Sequence, residues 1–220
     1  MSFDTYLKNV RSKMNVNQTQ MAEILDISRT AIKLIENGST KYPSKKVLHN
    51  LSIYLNQSEL DVMTKILFTD KILGDKSTNE NFIRSYLTYM YLEGWNINDH
   101  PYVYPLWQGK SIEFDGKITK KRQPKNIIIV TTFKRELYRV KTVSSREDAL
   151  AYMGDLVSKI MAVMDEFRGV QLLFNILNEE DYASFEVFKK LEFQKIIPKL
   201  EIVLFNPEIG EIKEKNRVGE

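Results

Sequence analysis

Two groups of side chains in this sequence have the residue types and spacing that chemistry requires. Glu113 and Asp115 stand two apart, and Lys134 follows a later β-branched run. Two carboxylates and a lysine converging at the ends of paired strands would hold a divalent cation and position a water for hydrolysis. Arg29, Thr30 and Lys33 are spaced i, i+1 and i+4, which on a helix makes one outward face of donors. Such a face presents a guanidinium, a hydroxyl with its methyl group, and an ammonium one turn on. Cysteine is absent and His49 and His100 stand alone. Disulfides, thiolate metal sites and cysteine nucleophiles are therefore excluded, and little remains for zinc or histidine catalysis. No metal, no cofactor and no enzymatic activity are expected.

Charge is unevenly distributed along the chain. Of the 32 Lys/Arg and 29 Asp/Glu that set the net charge of +3, residues 1–56 hold eight basic and four acidic, so +4, and the rest hold 24 and 25, so −1. A basic first quarter suits a segment that faces a polyanion. A second cluster, Lys117, Lys120, Lys121, Arg122 and Lys125, places five basic residues within nine and reads as a hairpin turn. It either touches phosphates or is a solvated turn whose charges guard a sheet edge, and the latter is the expectation. No window approaches the roughly 18 uninterrupted apolar residues of a membrane span, and the N-terminal MSFDTYLKNVRSKM lacks a secretory apolar stretch. A cytoplasmic location without a membrane partner is expected.

The elements that must position these groups follow from periodicity. At 220 residues, with 43% hydrophobic and 28% charged content, the chain suffices for two small domains. The first sixty residues read as five helices: 3–14, 18–25, 29–36, 45–55 and 58 to 67 or 68. Ser28 caps the third, Asn37 and Gly38 stop it, and Ile32 and Ile35 face inward while Arg29, Thr30 and Lys33 face out. A polar break covers 74–79, a Tyr-rich helix 82–93, and a two-proline loop with short extended pieces 96–109. Strands are expected at 111–118, 126–133, 138–143, 170–177 and 200–205, with helices at 146–167 and 179–191. The aromatics Tyr86, Tyr89, Tyr91, Trp95, Tyr102, Tyr104 and Trp107 suit either an interface between domains or a core.

The stretch from Val16 to Gly38, VNQTQMAEILDISRTAIKLIENG, resembles the helix-turn-helix of lambdoid phage repressors and Cro proteins, the XRE family. Gln18, Ala22, Leu25, Ser28, Ile32, Glu36 and Gly38 fall at the family's pattern positions, and Thr40-Lys41-Tyr42-Pro43 continues it. The resemblance covers about residues 2–60. Asp26 departs from it, standing where the family usually has glycine. The resemblance implies that Ser28, Arg29, Thr30 and Lys33 open a recognition helix in the major groove, and that Gln18 bridges that helix to the DNA backbone. Asn37, Lys41 and Tyr42 would contact phosphates and set register. Arg11 and Glu36 would form an ion pair that ties the first helix to the end of the recognition helix, as scaffold rather than readout.

The Glu113, Asp115 and Lys134 set, in turn, resembles part of the restriction-nuclease core, but Thr132 stands where that pattern needs a carboxylate. An ordinary strand pair or a dead nuclease-like scaffold is expected. The fold expected is thus an all-α five-helix lambda-repressor-like domain over 1–70, a helical linker over 71–95 and an α+β or α/β domain over 96–220 for dimerisation and inducer binding. The expected function is a repressor that binds a palindromic double-stranded operator as a homodimer and is released by a protein antirepressor acting on the C-terminal half. The self-cleaving route is excluded because neither Ala-Gly nor Cys-Gly occurs in the chain. The layout is similar to master repressors of mobile elements, the Stl-type repressors of staphylococcal pathogenicity islands among them. A nuclease with a DNA-targeting helix-turn-helix and an autoregulating antitoxin or anti-defence protein are the alternatives.

Overall fold

The computed structural model describes residues 2–68, 78–98, 102–105, 111–120, 123–133, 143–161, 167–190 and 200–217. His100, Trp107, Lys121, Arg122 and Lys134, and residues 138–142 of one expected strand, lie outside the described residues. The chain divides into two compact units between Gly74 and Asp75: a helical one, and one with a mixed sheet and helices.

The first unit consists of α1 (Phe3–Lys13), α2 (Gln18–Leu25), α3 (Arg29–Glu36), α4 (Lys45–Leu55) and α5 (Glu59–Phe68). Each is short, so its stability comes from side-chain capping and packing rather than from propensity. Asn17 and Gln20 form a capping box at α2, with the Asn17 Oδ1 accepting from Gln20 N at 3.0 Å and the Gln20 Oε1 accepting from Asn17 N at 2.8 Å. Ser28, Ser44 and Ser58 accept from Ala31 N, Val47 N and Asp61 N at the starts of the next three helices. Phe3, Leu7, Met21, Leu25, Ile32, Leu51 and Val62 supply the buried core.

The second unit opens with α6 (Asn79–Leu92), followed by β1 (Trp95–Asn98), β2 (Tyr102–Pro105), β3 (Ser111–Phe114), β4 (Gly116–Lys120) and β5 (Gln123–Thr132). Then come α7 (Arg146–Met161), β6 (Gly169–Asn175), α8 (Glu179–Lys189), β7 (Leu200–Asn206) and β8 (Glu211–Arg217). Six strands form one sheet in the order β1-β4-β5-β6-β7-β8, and β2 and β3 pair separately. The centre, β5 to β6 to β7, is parallel, and the outer pairs are antiparallel. Parallel neighbours need a crossover; α7 and α8 provide it on one face of the centre, and α6 covers the other. The β6 run VQLLFN is accordingly buried at every residue from Val170 to Asn175. On one face Phe133, Tyr152, Phe174, Phe185 and Phe188 pack with Leu156, Leu172 and Leu204. On the other, Phe82, Tyr86 and Tyr89 of α6 surround Phe205.

Several expectations are corrected here. The helix within 71–95 is no linker: α6 is part of the second unit, and it approaches β4 so closely that a Cβ on Gly116 would lie 3.1 Å from Leu87 Cδ2. The single strand expected at 111–118 is two strands in two sheets, because Asp115-Gly116 breaks the extended run. The short extended pieces expected within the 96–109 loop are the strands at 95–98 and 102–105, whereas β8 was not anticipated. Tyr86, Tyr89 and Tyr104 belong to packing within the second unit, with Tyr104 against Phe167.

Candidate nucleic-acid interface

The candidate interface is built on α3, an eight-residue helix whose two faces differ sharply in chemistry. Ile32, Ile35 and Glu36 are buried, while Arg29, Thr30, Lys33, Leu34 and Asn37 are exposed. Ser28 is exposed, and its hydroxyl is engaged as the helix cap, accepting from Ala31 N at 3.1 Å. At the other end Gly38 takes the left-handed conformation, φ +77, and the amides of Gly38 and Ser39 return to the carbonyls of Ile35 and Leu34. This double closure fixes where α3 ends and where the following loop leaves it.

The orientation of α3 is set through Glu36, which is only 4% exposed. Arg11 Nε donates to Glu36 Oε1 at 2.7 Å, Gln18 Nε2 donates to Oε2 at 2.7 Å, and Arg11 also donates to the Val16 carbonyl at 3.2 Å. Three helices thereby meet at one carboxylate. Burial alone would raise the Glu36 carboxyl, but the hydrogen bonds from Arg11 and Gln18 and the Arg11 charge outweigh it and hold the group below its ordinary value. The structure thus places Gln18, half-buried at the start of α2, against the end of α3 rather than leaving it free.

Two contacts flank the turn between α2 and α3. Asp26 ends α2 with φ +51 and ψ +50, the left-handed region that favours glycine, and its carboxylate lies 2.6 Å from Lys46 Nζ. Asn50 Nδ2 donates to the Leu25 carbonyl at 2.9 Å, tying α4 to the end of α2. Beyond α3, Lys41 is exposed and its Nζ lies 5.3 Å from the centroid of the Tyr42 ring. The donors of Arg29, Thr30 and Lys33 thus share one solvent-facing helix surface, followed in sequence by an exposed Asn37 and Lys41. Sequence reasoning missed Leu34, Asp26–Lys46 and Asn50. Of these, only Asp26 carried a signal, as an acidic residue at a glycine position.

Of the hydrolytic candidate, only Glu113 and Asp115 lie among the described residues. Glu113 is exposed on β3, whereas Asp115 lies between β3 and β4 and accepts from Thr132 N at 2.7 Å and Thr132 Oγ1 at 3.0 Å. Thr131 Oγ1 donates to the same oxygen at 3.4 Å. The carboxylate thus binds the neighbouring strand. Among the described residues no group of three or more His, Asp or Glu is placed to hold a metal ion, and no helix is long and apolar enough to cross a membrane.

No curated protein and no solved structure matches the chain. Residues 6–67 match a family model described as a helix-turn-helix domain. Together with the capped α2–turn–α3 geometry and its outward donors, that match makes residues 6–67 a helix-turn-helix domain and supports an XRE-like, DNA-binding one.

Proposed function

We propose that the chain is a sequence-specific transcriptional repressor of a phage or mobile genetic element, with no catalytic activity of its own. The observation that carries this reading is the outward surface of α3, where Arg29, Thr30 and Lys33 are exposed on a helix whose opposite face is clamped through Glu36. In this reading α3 enters the major groove with its N-terminal residues at base edges. Arg29 reads guanine, Thr30 and Lys33 extend the readout, and Asn37, Lys41 and Tyr42 contact phosphates. Gln18 and Ser28 act chiefly by holding α2 and α3 in register.

One such helix reads too few base pairs to specify a site, so the operator is a palindrome bound by a homodimer, with half-sites about 34–36 Å apart. The second unit supplies dimerisation and receives the signal that ends repression. With no cysteine in the chain and no metal cluster among the described residues, a small ligand or a protein remains as the signal; in this reading it is a protein antirepressor that binds the DNA-incompetent state better than the competent one.

The test is selection of duplexes from a random library by the full-length protein, followed by footprinting and sedimentation. A symmetric footprint of two half-sites bound by two chains is expected. A chain ending after Phe68 should lose operator affinity and inducibility together. Selection of no sequence preference would refute the reading, and a single asymmetric half-site bound by one chain would refute the dimer.

A further inference from the structure

Leu34 is 51% exposed in the last turn of the helix that carries Arg29, Thr30 and Lys33. A single exposed leucine needs no explanation by itself. Its neighbours give it one. At about 100° per residue, Lys33 lies roughly 40° from Arg29 around α3, and Leu34 lies roughly 40° from Thr30 on the other side of the exposed arc. Ala31, half-exposed, lies just beyond Leu34. The outward surface of α3 is therefore divided lengthwise. One edge is cationic, with Arg29 and Lys33, and the other is apolar, with the Thr30 methyl, Ala31 and Leu34.

A duplex presents few apolar groups to such an edge. In the major groove every base edge offers a hydrogen-bond donor or acceptor, and thymine alone adds a methyl group at C5. We propose that Leu34 reads a thymine methyl, so that each half-site carries a T·A pair whose identity is recognised by apolar contact. This rests on the reading of α3 as the groove-entering helix and states what that helix recognises. Leu34 is five residues beyond Arg29, on the order of 7.5 Å along the helix at 1.5 Å per residue. With base pairs about 3.4 Å apart, the thymine stands on the order of two steps from the guanine bound by Arg29. A polar base edge at that position would be desolvated against leucine without a partner, so the contact also rejects the other pairs.

The experiment uses the full-length protein and the duplex it selects from a random library. Each thymine of the half-site is replaced singly by deoxyuridine, which deletes only the C5 methyl. At one position, about two steps from the guanine whose recognition is lost in Arg29→Ala, the replacement should weaken binding about fourfold per half-site, the worth of one buried methyl. In Leu34→Ala that factor should fall to about one, with an unchanged melting temperature because the side chain is exposed. Leu34→Gln, of similar length, should remove the preference for thymine there.

Equal sensitivity to deoxyuridine in the parent protein and in Leu34→Ala would overturn the proposal while leaving the repressor reading standing, as would sensitivity at no position. Selection of no site at all would overturn both.

Discussion

The Gln18 side-chain amide donates to Glu36 Oε2 at 2.7 Å, joining the first residue of α2 to the last residue of α3. Because Arg11 of α1 holds the other oxygen, one buried carboxylate fixes three helices at once. The relationship separates the residues that orient the exposed face from those that compose it. The two sets should respond differently to substitution.

Glu36→Ala should destabilise the first unit by about 3 kcal/mol, the low end for a broken buried pair because Arg11 keeps a quarter of its side chain exposed. The carboxyl is held below its ordinary value of 4.5, so its stabilising contribution is complete above that value and is lost as pH falls through the lower folded-state value. Glu36→Gln should therefore flatten the acid limb of the stability curve. Urea titrations from pH 5 down to pH 2 would show it, and an acid limb identical in parent and variant would refute the role.

Arg29→Ala should leave the melting temperature unchanged and lower the preference for the selected site over random duplex by about 1–3 kcal/mol. Lys41→Ala should weaken all duplexes alike and reduce the slope of log affinity against log salt by about 0.9. A changed preferred sequence in Lys41→Ala would rule out its phosphate assignment.

Asp26→Gly should raise the stability of the first unit by about 0.5–1 kcal/mol. Glycine adopts the φ of +51 without a Cβ penalty, and the pair lost with Lys46 is exposed and contributes little. A lower melting temperature would instead assign the Asp26–Lys46 contact a structural role.

Tyr86→Phe should lower the transition of the second unit by about 1–3 kcal/mol, because it removes the donor to Gln171 Oε1 at a buried position. The first unit should be unaffected. Coincident shifts in both transitions by calorimetry would show that the two units unfold together.

Asp115→Ala should destabilise the second unit, leaving the buried Thr132 without its 2.7 Å and 3.0 Å acceptor. It should abolish no reaction, since the parent protein should not cleave duplexes with magnesium or manganese. Metal-dependent cleavage that disappears in Asp115→Ala would overturn this reading.

What the sequence determined by itself is local. The bounds of α3 are legible because Ser28 caps its first turn and Gly38 tolerates the left-handed closure, and both signals act within four residues. The inward side of α3 is legible from the spacing of Ile32 and Ile35, and the outward donors follow by exclusion. Leu34 was not legible, because a leucine beside a helix's apolar stripe carries no mark of which way it faces. The second unit was decided by distant pairing. Nothing in SIEFDGKI says that β3 joins β2 while β4 joins β1 and β5, since strand partners are chosen by which faces bury together. The charged run of β8 lacks the apolar alternation of a strand. It is one because β7 supplies its hydrogen bonds at the edge of the sheet, where its side chains need not be buried. Likewise α6 belongs to the second unit because Tyr86 finds Gln171, 85 residues away, and Leu87 fits against the missing side chain of Gly116. Such contacts depend on the assembled sheet, and no spacing within the helix encodes them.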